Sequence, residues 1–187
     1  MDALAKHTQV LTARQIAKTL QGRLADRLST LATAYGLTLP APNTSDAYWS
    51  GPYSFSEPPG EVYCTPSIGV QWQDSTVSDT GGSQTGYWQT TTPYRVIIAT
   101  DGDDPKNSQE VAQSYASAVG QILCGFLFDD CVSFTVTANS IGEGIPITSK
   151  PRPIGTSAGQ PTWWDDNRQT ILISEVVIEV TQYEVMR

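Results

Sequence analysis

Ile16, Leu20, Leu24, Leu28, Leu31 and Tyr35 recur at steps of four and three residues. That spacing lays one continuous apolar stripe along an α-helix. A helix oily on one side and wet on the other has to rest on a second layer. Thr12 with Gln15 three residues later predicts a capping box at its start, with the segment before Thr12 continuing the helix or fraying. Gly36 predicts a left-handed cap at its end. Gly22, inside the helix, is expected to weaken it by about 1 kcal/mol relative to alanine.

A second helix is predicted over 108–126, its apolar face made by Val111, Tyr115, Ala118, Val119, Ile122, Leu123 and Phe126. Asn107 and Glu110 form its expected cap pair. Between and after the helices the period changes to two. Ile68, Val70 and Trp72 predict one half-buried strand, and 87–100, centred on Val96-Ile97-Ile98, a second. Val132, Phe134, Val136 and Ala138 predict a third, with one wet face. The stretch 170–185 predicts an over-long fourth. Ile171 and Ile173 are out of step with Val176, Ile178 and Val180, which predicts a bulge near Glu175.

Residues 74–86, rich in Ser, Thr, Gly and Asp, predict a hairpin tip. Two Pro-rich stretches, 37–66 and 139–168, predict long loops. The first carries Tyr48, Trp49, Tyr53, Phe55 and Tyr63, rings too apolar for a linker; the second carries Trp163-Trp164. The expected fold is α+β: a mostly antiparallel sheet with two helices packed on one face and long Pro-rich loops. One domain is expected over 1–187. It has an N-terminal helix at 1–36, loops at 37–66 and 139–168, and the sheet and second helix at 67–138 and 169–187.

The chain carries 11 Lys+Arg against 19 Asp+Glu, a formal charge of −8. The imbalance is uneven: residues 1–35 hold five basic groups against Asp2 and Asp26, a local +3, which leaves −11 on the rest. So acidic a body repels nucleic acid at contact range. The basic start suits acidic surface, on its own body or on a neighbouring copy, or is a solvated helix face. No apolar run is long enough for a membrane span. The start, Met1 to His7, lacks the apolar core of a secretory signal, so a cytoplasmic site of synthesis is expected. Cys64, Cys124 and Cys131 have no zinc spacing and read as reduced, packed thiols.

Chemistry is sparse. His7 is the single histidine, in a segment expected to fray, and a nucleophile's base has to be held in place. Asp101, Asp103 and Asp104 fail as a calcium loop: the sixth and twelfth positions hold Lys106 and Ala112 instead of Gly and Glu. Asp129-Asp130 and Asp165-Asp166 read as turn acids, with a glycosidase pair as the sharper alternative. Gly142-Glu143-Gly144 has neither the helix nor the Lys of a phosphate cradle. No catalytic group, cofactor or metal is expected. Trp49, Trp163 and Trp164 have three open readings: sugar stacking, a protein interface, or cover for the domain's own core.

The basic helix Thr12–Tyr35, the segment Pro93-Tyr94-Arg95-Val96-Ile97-Ile98, the helix Gln113–Val119 and the ending Ile171–Val185 come in a characteristic order. In this order the chain resembles the tail terminator (tail completion) proteins of long-tailed bacteriophages and the related neck proteins. The resemblance implies a homohexameric ring that caps the tail tube and offers a docking face to the filled head, in the virion. Its partners would be other copies of itself, the tube protein and neck or connector proteins, with DNA only passing through. Subunit or tube contacts are expected at Arg14, Lys18, Arg23, Arg27, Trp49, Trp163, Trp164, Val176, Ile178 and Val180. The alternatives are a head–tail joining (stopper) protein and, from another class, a small cell-wall enzyme or carbohydrate-binding module.

Overall fold

The apolar stripe forms α1 (Asp2–Tyr35), an uninterrupted helix of 34 residues and about 50 Å. The structure, a computed structural model, describes residues 2–39, 66–72, 76–79, 87–102, 107–125, 134–138, 145–149, 151–164 and 169–185. Seven alanines, six leucines and no proline favour α1 along its whole length. It therefore begins ten residues before the expected capping box. Thr12 is a buried mid-helix residue instead, and its hydroxyl hydrogen-bonds the Tyr94 phenol. His7 lies on a helical backbone and not on a frayed end.

Ala13, Ile16, Ala17, Leu20, Leu24, Leu28 and Leu31 form the buried face of α1. Each of the large ones contributes about 1.5–3 kcal/mol by leaving water. Tyr35 is 70% exposed, so the stripe ends one turn earlier than its period implies. Gly36, at φ 66°, ends the helix, and the Leu37 N–H donates to the Ala32 carbonyl at 3.1 Å. This six-to-one bond is the Schellman closure. A Cβ on Gly22 would meet nothing, so that glycine has no packing reason.

The sheet is built on β3 (Tyr87–Asp101) and β7 (Gln169–Val185). They pair antiparallel over 15 continuous rungs, from Tyr87↔Val185 to Asp101↔Ile171. β1 (Ser67–Trp72) and β2 (Thr76–Asp79) pair with successive parts of β3. Thr76–Asp79 thus belongs to a strand, and the hairpin tip expected at 74–86 is shorter. On the other side of β7 runs β6 (Pro151–Trp164), giving the order β1-β3-β7-β6. A separate antiparallel pair joins β4 (Phe134–Ala138) to β5 (Ile145–Ser149).

β5 and β6 correct the expectation of a loop over 139–168. Pro151, Pro153 and Pro161 read as breakers, yet proline is tolerated on an edge strand, where one side of the backbone needs no ladder donor. β6 is that edge, and it is irregular, with register shifts at Pro153/Gly155 and Ser157/Gln160. Such shifts and prolines also protect an edge from pairing with a foreign strand. The bulge expected near Glu175 is absent from the β3 ladder; the irregularities belong to β6. The loop expected at 37–66 falls mainly on 40–65, outside the described residues.

The second helix, α2 (Ser108–Cys124), packs across β6, β7 and β3, while α1 lies on α2 and β1. Asn107 makes no side-chain cap bond, contrary to expectation, although Glu110 does stand in the first turn. Gly125, at φ 72°, ends the helix. Both helices cover the sheet face that carries Ile68, Val70, Tyr94, Val96, Ile98, Val176, Ile178 and Val180. The fold is thus α+β, with an antiparallel sheet and two helices on one face.

The apparent slip in β7 has a simple cause. Ile171 belongs to a second small cluster with Ala99 and Ile173. Asp101↔Ile171 and Ala99↔Ile173 are rungs that alternate with the helix-facing rungs Thr100↔Leu172 and Ile98↔Ser174. The strand keeps its alternation, and apolar residues occupy both faces at that end.

Candidate functional site

The basic residues of α1 divide into two groups. Lys18 is exposed on one flank of the buried stripe. Arg23 and Arg27, one turn apart, lie on the other flank, the side that meets α2. The side chain of Arg14 lies outside the described residues. Arg23 and Arg27 border an open groove of about 530 Å³ together with Asp26, Thr30, Gln121, Ile122 and Gly125. Its floor is the end of α2, whose last turn has no basic residue of its own. The two guanidiniums therefore stand near the negative pole of α2 and complement it.

Several polar groups in the groove are fixed within the chain. The Thr30 hydroxyl donates to the Asp26 carbonyl at 2.9 Å. The Gln121 side-chain amide donates from Nε2 to Ser117 Oγ at 3.0 Å. Gln121 Oε1 is buried and accepts no hydrogen bond. Cys124, next to this wall, is a thiol and not half of a disulfide, and it is half-buried against the core.

The opposite face of the sheet carries an ion pair between Arg95 and Glu175, diagonal neighbours on β3 and β7. Both side chains are about a quarter to a third exposed, so the pair contributes at most about 1 kcal/mol. Thr91 and Thr181 share a hydroxyl–hydroxyl bond of 3.2 Å on the same face.

A third polar cluster ties α2 to the bulged edge strand. Gly159, at φ 68°, donates its N–H to Ser174 Oγ at 3.0 Å. The Gln109 amide donates from Nε2 to the Ala158 carbonyl at 3.1 Å. A Cβ on Gly159 would displace the flexible end of the Gln109 side chain, but it is the positive φ that calls for glycine there. This cluster joins α2 to β6 and β7.

Three of the expected contact residues are corrected by the fold. Val176, Ile178 and Val180 are buried at 1%, 0% and 0% exposure beneath the helices. They fill the subunit's own core and offer nothing to a neighbour. Trp163 and Trp164 hold the last two rungs of β6, opposite Thr170 and Gln169, but their side chains lie outside the described residues, as does Trp49. Gln121 and Gly125 were missed. The four-residue spacing of Arg23 and Arg27 was a signal for a basic helix flank, but no periodicity shows which element that flank faces.

Among the described residues, no three of His, Cys, Asp and Glu gather as a metal-ligand group. No helix among them is long and apolar enough to cross a membrane. No family model matches the chain, and no curated protein matches it.

Proposed function

We propose that the chain is a structural subunit of a bacteriophage tail terminator. Copies close into a ring, six by the resemblance, that caps the tail tube and presents the docking face for the head. The protein works in the virion by binding, with no bond made or broken. The observation that carries this reading is the charge division on the folded subunit. An exposed basic flank and groove on α1 stand on a chain that bears −11 outside its first 35 residues. One such contact, repeated head to tail around a closed ring, is multiplied by symmetry. The acidic remainder has a use as well: six copies at −8 each carry roughly −48, and a negative channel lets DNA pass without adhering.

The test is to add the purified protein to polymerising tail-tube protein and image the product by negative stain. Rings at tube ends and arrested growth are expected. Replacing Trp163 and Trp164 together by alanine is expected to abolish rings while leaving the circular-dichroism spectrum of the subunit unchanged. Tubes that elongate as before, with no ring on them, overturn the reading.

A further inference from the structure

We propose that the helix-free face of the sheet, along β6 and β7, pairs with the same face of a second copy across a twofold axis. Three rungs carry the contact. Arg152 stands opposite Glu179, Gly155 opposite Val177, and Ser157 opposite Glu175. All six lie on the face away from the helices, because Val176 and Ile178, which alternate with them on β7, are core. Arg152 and Gly155 are exposed, and Ser157, Val177 and Glu179 are half-buried. A Cβ built on Gly155 would meet nothing, so the space above it is open. Among the described residues neither Arg152 nor Glu179 forms an ion pair, whereas Glu175 is held by Arg95.

Each rung joins two unlike groups, and this makes the strip complementary to itself. A twofold axis along the strands, between β6 and β7, lays β6 of each copy over β7 of the other. Sheets stacked with their strands nearly aligned, about 10 Å apart, are an ordinary packing. Arg152 of each copy then meets the partner's Glu179, and the four groups form a square of alternating charge. Val177 of each copy fills the open space above the partner's Gly155. The Ser157 hydroxyl of each copy donates to the partner's Glu175. With Arg95 included, two arginines and two glutamates cancel on the strip, so it attracts neither a nucleic acid nor a basic peptide. The contact is separate from that of the ring: a twofold contact closes on two copies, whereas a ring repeats one contact head to tail.

Sedimentation equilibrium of the full chain at low salt, up to millimolar concentration, reads the pairing as a doubling of particle mass, whether the particle is a subunit or a ring. The strip is about 15 Å long and two strands wide, well below a standard interface, so the doubling is expected to be half complete on the order of 100 μM. Arg152→Glu or Glu179→Arg alone sets like charges against each other and is expected to raise that midpoint by about 10-fold. The two together restore opposite charges and are expected to bring it back to within about 3-fold of the parent. Melting temperatures of the variants report any loss within the subunit, where each single swap also opposes like charges on one rung. Gly155→Val occupies the space that the partner's Val177 needs and is expected to raise the midpoint by about 10-fold or more. Its melting temperature is expected to stay or rise, because the subunit itself has room for the side chain. A parent that never doubles, a double swap no better than either single, or a Gly155→Val variant that pairs like the parent overturns the proposal. A ring that forms but never doubles overturns the pairing alone; a subunit that doubles but forms no ring overturns the ring alone.

Discussion

Replacing Ile178 by alanine is expected to destabilise the subunit by about 2–5 kcal/mol, the range for emptying a well-packed core site. Ile178 has no exposure, stands on β7 between Tyr94 of β3 and Pro153 of β6, and faces the helices. Because β7 is flanked on both sides there, the backbone cannot easily collapse into the void. Against a typical domain stability of about 5–15 kcal/mol, this loss is a large share. Urea unfolding followed by circular dichroism reads it directly. The expectation separates two roles for the same residue. A core side chain weakens the isolated subunit, whereas a contact side chain weakens only assembly. A loss under about 1 kcal/mol on the isolated subunit contradicts the core position.

Raising the pH above about 10 is expected to unfold the protein steeply. Tyr94 and Tyr115 are both fully buried, and burial pushes each phenol well above its ordinary value of 10. For Tyr94, hydrogen bonds with Thr12 and Thr92 only partly offset that effect. A folded-state value above the unfolded one means that the unfolded chain loses its protons first. The stabilisation is therefore complete below pH 10 and falls as pH rises towards the folded values. Each group costs about 1.4 kcal/mol per pH unit across that window, and the two together about 3 kcal/mol per unit. Phenolate absorbance should rise for these two residues only as the fold melts. Tyr115→Phe should remove about half of the slope. Tyr94→Phe should do the same, at the additional neutral-pH cost of the hydroxyls it leaves unpaired on Thr12 and Thr92, about 1–3 kcal/mol. A flat melting temperature from pH 9 to pH 12 contradicts the burial of both rings.

Much of the architecture is legible from period alone. The stripe Ile16–Leu31, the face from Val111 to Leu123 and the alternation of Ile68 and Val70 each report which side is dry, and all three become core. Gly36 is equally readable, because the left-handed turn that closes a helix is cheap only for glycine. The failures have a common origin in neighbours that a linear sequence does not show. Proline in β6 is compatible with a strand only because β6 is an edge, and edge status belongs to the sheet. Val176, Ile178 and Val180 read as a shared surface because so long a strand looked unmatched; β3 matches it over 15 rungs. The candidate site was half legible. Arg23 and Arg27 announce a basic flank, but Gln121 and Gly125 join it only because α1 crosses the end of α2.

The central claim is that copies of this chain assemble with one another. The mass of the native particle in solution at micromolar concentration and low salt tests it most directly. A closed particle of about six times the 20.2 kDa subunit, dissolving as salt rises, is the expected result. A particle of one subunit mass at every concentration and salt contradicts it.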